Sequence, residues 1–228
     1  MKWVKSVIAI AIVALCCQGA WGQSRGEIGQ IGYFEGDGPW ASWNGQWMAL
    51  LYRNGGFEIG EVSVTSTRDE KSFCGGSGFA VESSDSAAVG LLLRGFSTIK
   101  AGPVIVEFND RKFIYPGESL RGFLDGKNPW SLTAFGTVRP PLYDLQYTNY
   151  EVVMAVGERQ GPVFSLKRLD GDGLPEILWV GDLDGDRIAD IFADVRTHYA
   201  GSRFTLFLSS LAETGIVAEA GSIQATGC

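Results

Sequence analysis

Leu178-Trp179-Val180-Gly181-Asp182-Leu183-Asp184-Gly185-Asp186-Arg187-Ile188-Ala189-Asp190-Ile191-Phe192-Ala193 places four carboxylates between two short apolar runs. Counted from Asp182, the acids stand at relative positions 1, 3, 5 and 9. A loop coiled around a hard cation needs an oxygen ligand at every second residue, because alternate side chains then turn inward. Position 7 in such a loop contributes a backbone carbonyl, here that of Ile188. Gly185 permits a tight turn between ligands. Four carboxylates this close repel one another unless a cation lies among them. The candidate metal ligands are therefore Asp182, Asp184, Asp186, Ile188 and Asp190. An all-oxygen set favours Ca2+ over zinc or copper.

The flanks set the fold around this loop. Leu178-Trp179-Val180 and Ile191-Phe192-Ala193 are short, apolar and strand-like. An EF-hand would need helices there and a Glu at position 12, where Ala193 stands. The pattern is that of a strand–loop–strand calcium hairpin. It resembles the hairpin of the integrin-type FG-GAP (VCBS) repeat, typically Val-Gly-Asp-x-Asp-Gly-Asp-Gly-x-x-Asp-Leu. Val180 to Asp186 match that pattern and Asp190-Ile191 match its end, whereas Arg187 replaces the usual glycine. The resemblance spans only these residues and implies a bound Ca2+. A propeller of such repeats needs several copies, and the sequence contains none at the required period. The C-terminal stretch is also similar to a group of exported bacterial proteins. They share the Trp179 to Asp186 pattern, a His198-Tyr199 pair, a Leu206 to Ser210 strand and a terminal Gly227-Cys228. That resemblance implies no activity.

A half-copy lies upstream, Arg168-Leu169-Asp170-Gly171-Asp172-Gly173-Leu174-Pro175-Glu176-Ile177. Arg168 stands where the first ligand belongs and Glu176 where the last does. The favoured reading is an acidic hairpin turn without a metal.

Outward from the hairpin, the chain alternates as strands do. Candidates are 47–52, 57–64, 78–82, 89–94, 104–108, 112–115, 131–138, 150–156 and 163–169. Asn44-Gly45 and Asn54-Gly55 read as hairpin turns. A bulge near Gly60 would restore the alternation in 57–64. Asn109-Asp110-Arg111 reads as a turn between its neighbours, and Arg139-Pro140-Pro141 as a linker. The best helical candidate, Leu211 to Ala220, is interrupted by Gly215. The expectation is an all-β chain: a β-sandwich-like portion over 23–138 and a second β portion over 142–228, the two able to pack as one domain.

Positions 1–22 carry Lys2 and Lys5, then an apolar run of 11 residues from Val7 to Cys17, then Ala20-Trp21-Gly22. This is a signal-peptide pattern, too short to span about 30 Å of hydrocarbon. The expected location is periplasmic or secreted, with no membrane span. Cleavage there leaves Cys74 and Cys228, an even pair expected to form a disulfide in an oxidising compartment. It also removes two lysines and no acid, moving the net charge from −7 to −9. Such acidity disfavours nucleic acid as a partner. Trp40, Trp43 and Trp47 form a candidate carbohydrate platform, with core aromatics as the commoner reading. His198 is the single histidine, and no serine or cysteine carries a nucleophile signature. The chain therefore reads as a non-enzymatic, exported Ca2+-binding β-protein with a protein or glycan partner. The alternative is a carbohydrate-active protein, a lectin-like binder or a glycosidase.

Overall fold

The structure is a computed structural model that describes residues 26–70, 77–139, 146–170 and 172–226. The signal segment, Cys74 and Cys228 lie outside these residues. The first half contributes β1 (Glu27–Gln30), β2 (Gly32–Glu35), β3 (Gly45–Arg53), β4 (Gly56–Asp69), β5 (Gly78–Ser83), β6 (Ala88–Arg94), β7 (Gly102–Phe108) and β8 (Lys112–Phe113). The second contributes β9 (Ser119–Leu124), β10 (Asn128–Arg139), β11 (Gln146–Val156), β12 (Arg159–Asp170), β13 (Glu176–Asp182), β14 (Asp190–Asp194), β15 (Gly201–Leu208) and β16 (Ala218–Thr226). Among the described residues the helical elements are two single 3-10 turns, Pro39–Ser42 and Ser209–Leu211. The protein is all-β, and no helix among these residues is long and apolar enough to cross a membrane.

Twelve strands make one antiparallel sheet along the path β1-β6-β3-β4-β7-β13-β14-β15-β16, with β5 beside β4, β2 beside β5 and β8 beside β13. The path nearly closes: a Cβ on Gly221 of β16 would lie 3.4 Å from Ile28 Cγ2 of β1. The other four strands form a separate sheet, β12-β11-β10-β9. The boundary expected at 138–142 does not separate these sheets. β10 and β11 flank it and are partners, with Arg139 opposite Gln146. β7 pairs in turn with β13, Ile105 opposite Asp182. A proline pair in a sequence can interrupt a ladder between neighbouring strands as readily as it can separate domains.

Local chemistry explains which turns formed. Asn54 and Gly55 have φ of 52° and 81°, as a two-residue hairpin loop requires, and they join β3 to β4. Asn44-Gly45 is no hairpin. It leads into β3, and the Asn44 side chain accepts the Ser66 amide at 2.9 Å. Gly60 is no bulge either, since it sits in register opposite Ala49. Instead β4 changes neighbours, from β7 at residues 57–59 to β5 at 64–69. Residues 109–111 do not reverse the chain, because β7 and β8 both pair with β13. The stretch 211–220 contains no α-helix; Gly215 takes φ 82° and β16 starts at Ala218.

The large sheet is covered on both faces where β13, β14 and β15 meet. Trp179, Phe192, Leu206 and Leu208 enter one core with Trp43, Trp47 and Leu92. Ile177, Val180, Ile191, Ala193 and Phe207 enter a second, against Trp130, Leu132, Tyr150 and Met154 of the four-stranded sheet. Cross-strand pairs keep the faces apart: Trp179 lies opposite Phe192 and Val180 opposite Ile191. A register shift between Ile177 and Trp179 sends these two residues to opposite faces.

Gly181 is where this packing is tightest beside the acidic loop. A Cβ there would lie 2.4 Å from the Ile105 carbonyl oxygen and 2.5 Å from the Trp179 ring. Backbone cannot step aside as a flexible side chain can. Gly181→Ala should therefore lower stability by about 2 kcal/mol, read as an earlier urea midpoint at unchanged slope.

Candidate metal centre

The hairpin between β13 and β14 organises itself through its own carboxylates. Asp182 closes β13, and its two oxygens accept the Gly185 amide at 2.7 Å and the Arg187 amide at 3.0 Å. Asp184 Oδ1 accepts the Asp186 amide at 3.3 Å. Asp186 Oδ1 accepts the Ile188 amide at 2.7 Å. Short acidic side chains satisfy nearby backbone donors in this way, so much of the turn's hydrogen bonding is local. Gly185 and Arg187 both take left-handed backbone, φ 82° and 68°. For glycine this is nearly free, while for arginine it costs about 1 kcal/mol.

Asp190 opens β14 and is fully buried. One of its oxygens accepts the Leu183 amide at 2.8 Å. The other accepts the Ser209 amide at 2.8 Å and the Ser209 hydroxyl at 3.0 Å. The Ser209 hydroxyl also lies 2.9 Å from Asp186 Oδ2. Ser209 thus ties the end of β15 to the hairpin. Sequence reasoning missed this role, because a lone serine 19 residues downstream of Asp190 carries no local signal.

Of the five predicted ligands, three converge. Asp182, Asp184 and Asp190 each offer a carboxylate oxygen, all within 4.8 Å of one another. Asp186 stands outside this triad, its oxygens engaged by Ile188 and Ser209. Ile188 contributes its amide to Asp186. Burial is the main reason that the Asp182 and Asp184 carboxyls, and far more so that of Asp190, are pushed above the ordinary carboxylate range. Neighbouring negative charge adds to it: Asp186 acts on Asp182 and Asp184, and Asp184 acts on Asp190. Two buried carboxylates and the half-buried Asp184 share little space, and a cation among them would offset their mutual repulsion. The Ser210 hydroxyl beside Asp184 partly offsets the rise there, while Asp184 Oδ2 itself makes no hydrogen bond of normal geometry among the described residues. The donor set is oxygen throughout, as Ca2+ or Mg2+ prefers.

The upstream acidic segment is built differently. Asp170 ends β12, and Asp172 is exposed. Glu176 is buried but already neutralised by two arginines. Arg111 Nε and Nη2 reach its oxygens at 3.1 and 2.7 Å, and Arg196 Nη2 does so at 3.3 Å. Arg196 also pairs with the buried Asp194 at 2.5 Å. Arginine thus does at Glu176 what a cation would do at Asp190. The segment is not the hairpin turn expected from the sequence: β12 and β13 do not pair, and the chain passes here from the four-stranded sheet to the twelve-stranded one.

The tryptophan platform does not exist as a surface. Trp40, Trp43 and Trp47 are 3%, 0% and 2% exposed. Trp43 contacts Phe34, Trp40 and Trp47 edge-on, and the Arg94 guanidinium sits 4.1 Å over the Trp47 ring. In this sheet large rings fill the space between strands, and burial outweighs any use as an exposed stacking face. His198 is exposed and rests on Tyr199, and its Nδ1 accepts the Ala200 amide. The expected Cys74–Cys228 bond falls outside the described residues.

No family model, curated protein or solved structure matches the chain.

Glu176→Gln should remove the charge that both arginines answer and leave the mostly buried Arg196 with Asp194 alone. A loss of about 3 kcal/mol is expected, measured by chemical denaturation. An unchanged midpoint would show that the network adds nothing to stability.

Proposed function

We propose that the protein is an exported, non-enzymatic β-protein whose β13–β14 hairpin holds a structural Ca2+, acting as an envelope or interaction module toward a protein or glycan partner. One observation carries this reading: three buried or half-buried carboxylates, Asp182, Asp184 and Asp190, each with an oxygen within 4.8 Å of the others. Asp182, Asp184 and Asp190 would hold the ion, with water completing its shell. The resemblance of the loop to the FG-GAP hairpin supports the same ion. The ion's part is to lock the turn between two strands that belong to both cores. The signal-like start supports export to the periplasm or beyond, and the acidity of the chain weighs against nucleic acid.

Thermal melts with Ca2+ and with chelator test the metal. At free Ca2+ one hundred times Kd, binding stabilises the fold by about 2.7 kcal/mol. For a chain of this size that raises the midpoint by about 5–10 °C. Asp184→Ala should abolish the rise, and Asp170→Ala should preserve it. Equal midpoints with and without Ca2+ in the unaltered chain, and no heat in titration calorimetry, would reject the site.

The non-enzymatic part rests on the absence of a nucleophile signature and on an exposed histidine held only by its neighbours. A panel of chromogenic glycosides, esters and peptides should return background rates. Turnover abolished by changing one carboxylate outside 182–190 would count against it.

A further inference from the structure

The asparagines of the chain stand in very different settings. The main-chain nitrogen that follows an asparagine is a nucleophile within reach of its side-chain carbonyl carbon. Attack needs an N–H on the following residue, little bulk beside it, and an amide side chain that nothing holds. Asn128 precedes Pro129, which has no N–H. Asn109 precedes Asp110, and Asn149 precedes the buried Tyr150, so a side chain shields the nitrogen in both. Asn44 and Asn54 each precede a glycine, and Asn44, Gly45, Asn54 and Gly55 are all exposed. Their surroundings nevertheless differ. Asn44 is fastened at both ends of its amide: Oδ1 accepts the Ser66 N–H at 2.9 Å, and Nδ2 donates to the Ser66 carbonyl at 3.5 Å. Gly45 already belongs to the β3–β4 ladder, opposite Val64. Nothing comparable holds the Asn54 side chain among the described residues. Gly55 lies in the two-residue loop, outside the ladder, whose last pair is Arg53 and Gly56. A Cβ on Gly55 would meet nothing within 4 Å, so its nitrogen is open to approach.

We infer that Asn54 is a site of spontaneous covalent modification, deamidation by the Gly55 nitrogen, from which the fold protects Asn44. The Gly55 nitrogen attacks the Asn54 side-chain carbonyl carbon. A C–N bond forms and closes a five-membered succinimide, and the bond from that carbon to Nδ2 breaks. The side-chain nitrogen leaves as ammonia and takes the proton that the Gly55 nitrogen gives up. Water then adds to one of the two ring carbonyls. Opening at the side-chain carbonyl gives aspartate, and opening at the main-chain carbonyl gives isoaspartate. No oxidant or catalyst is consumed, and the exposed turn admits the water. Either product places a new negative charge beside Arg53, which already pairs with Glu58 and Asp85. Isoaspartate also lengthens the main chain by one atom. The length of a two-residue loop fixes the register of its hairpin. The extra atom therefore loosens the Arg53–Gly56 pair and the Tyr52–Phe57 pair next to it, whose rings lie 4.9 Å apart.

The experiment incubates the whole chain in mildly alkaline buffer, once folded and once in concentrated urea. Peptide mapping by mass spectrometry then follows the amide-to-acid mass gain at each asparagine, with synthetic isoaspartyl peptides as chromatographic standards. In the folded chain Asn54 should convert at least about tenfold faster than Asn44, because only Asn44 must wait for local opening. In urea both sites are released, and the gap should close to less than about threefold. Equal rates at the two sites in the folded chain would overturn the inference. So would an Asn54 that converts at least about tenfold more slowly folded than in urea, since the hairpin would then be shielding it. The isoaspartate fraction, purified from the aged chain, is compared with Asn54→Asp by amide hydrogen exchange. Residues 52–57 should exchange faster in the isoaspartate form. Equal exchange in the two would overturn the loosening of the hairpin.

Discussion

Strands β13, β14 and β15 have almost no water-facing side, and the rest of the molecule is arranged around that constraint. A β-strand presents two faces, and here both carry large apolar side chains. One face needs the curved remainder of the large sheet, and the other needs the β9–β12 sheet laid across it. Burial of apolar surface on both sides of one layer is the largest stabilising contribution in a protein of this size. It also accounts for the near-continuous apolar reading of these strands where the rest of the chain alternates.

The same burial gives the acidic hairpin its character. A turn at the end of a strand with one wet face would keep its carboxylates in water, where mutual repulsion is mild. Here Asp182 and Asp190 belong to strands sealed on both faces, so their charges are partly removed from solvent. Two solutions to buried negative charge appear within one ladder. Glu176 and Asp194, opposite one another at one end, meet arginines. Asp182 and Asp190, at the other end, meet backbone amides, a serine and one another.

The hairpin was legible in the sequence because its information is local: spacing, glycine placement and flanking apolar runs all lie within sixteen residues. The alternating strands and the Asn54-Gly55 turn were legible for the same reason. What was not legible depends on residues distant in the chain. Ser209 reaches the site from the end of β15, and Arg111 reaches Glu176 from the segment before β8. Asn44-Gly45 misled because a dipeptide suited to a turn can equally precede a strand when its side chain finds a partner such as Ser66. The Arg139-Pro140-Pro141 stretch carried no information on which strands lie together, since β10 and β11 pair across it.

The β9–β12 sheet is an excursion between two strands of a larger one, and this bears on how the chain reaches its final state. Val180 pairs with Phe108 across an intervening stretch that contains all four strands of the β9–β12 sheet. Within that loop, neighbouring strands are joined by short connections, so its pairings form at little entropic cost. A loop that has already folded is also shorter, end to end, than a random one. The ladder between β7 and β13 joins Phe108 to Val180, 72 residues apart, so its closure costs more chain entropy than the short-range pairings of the meander between them.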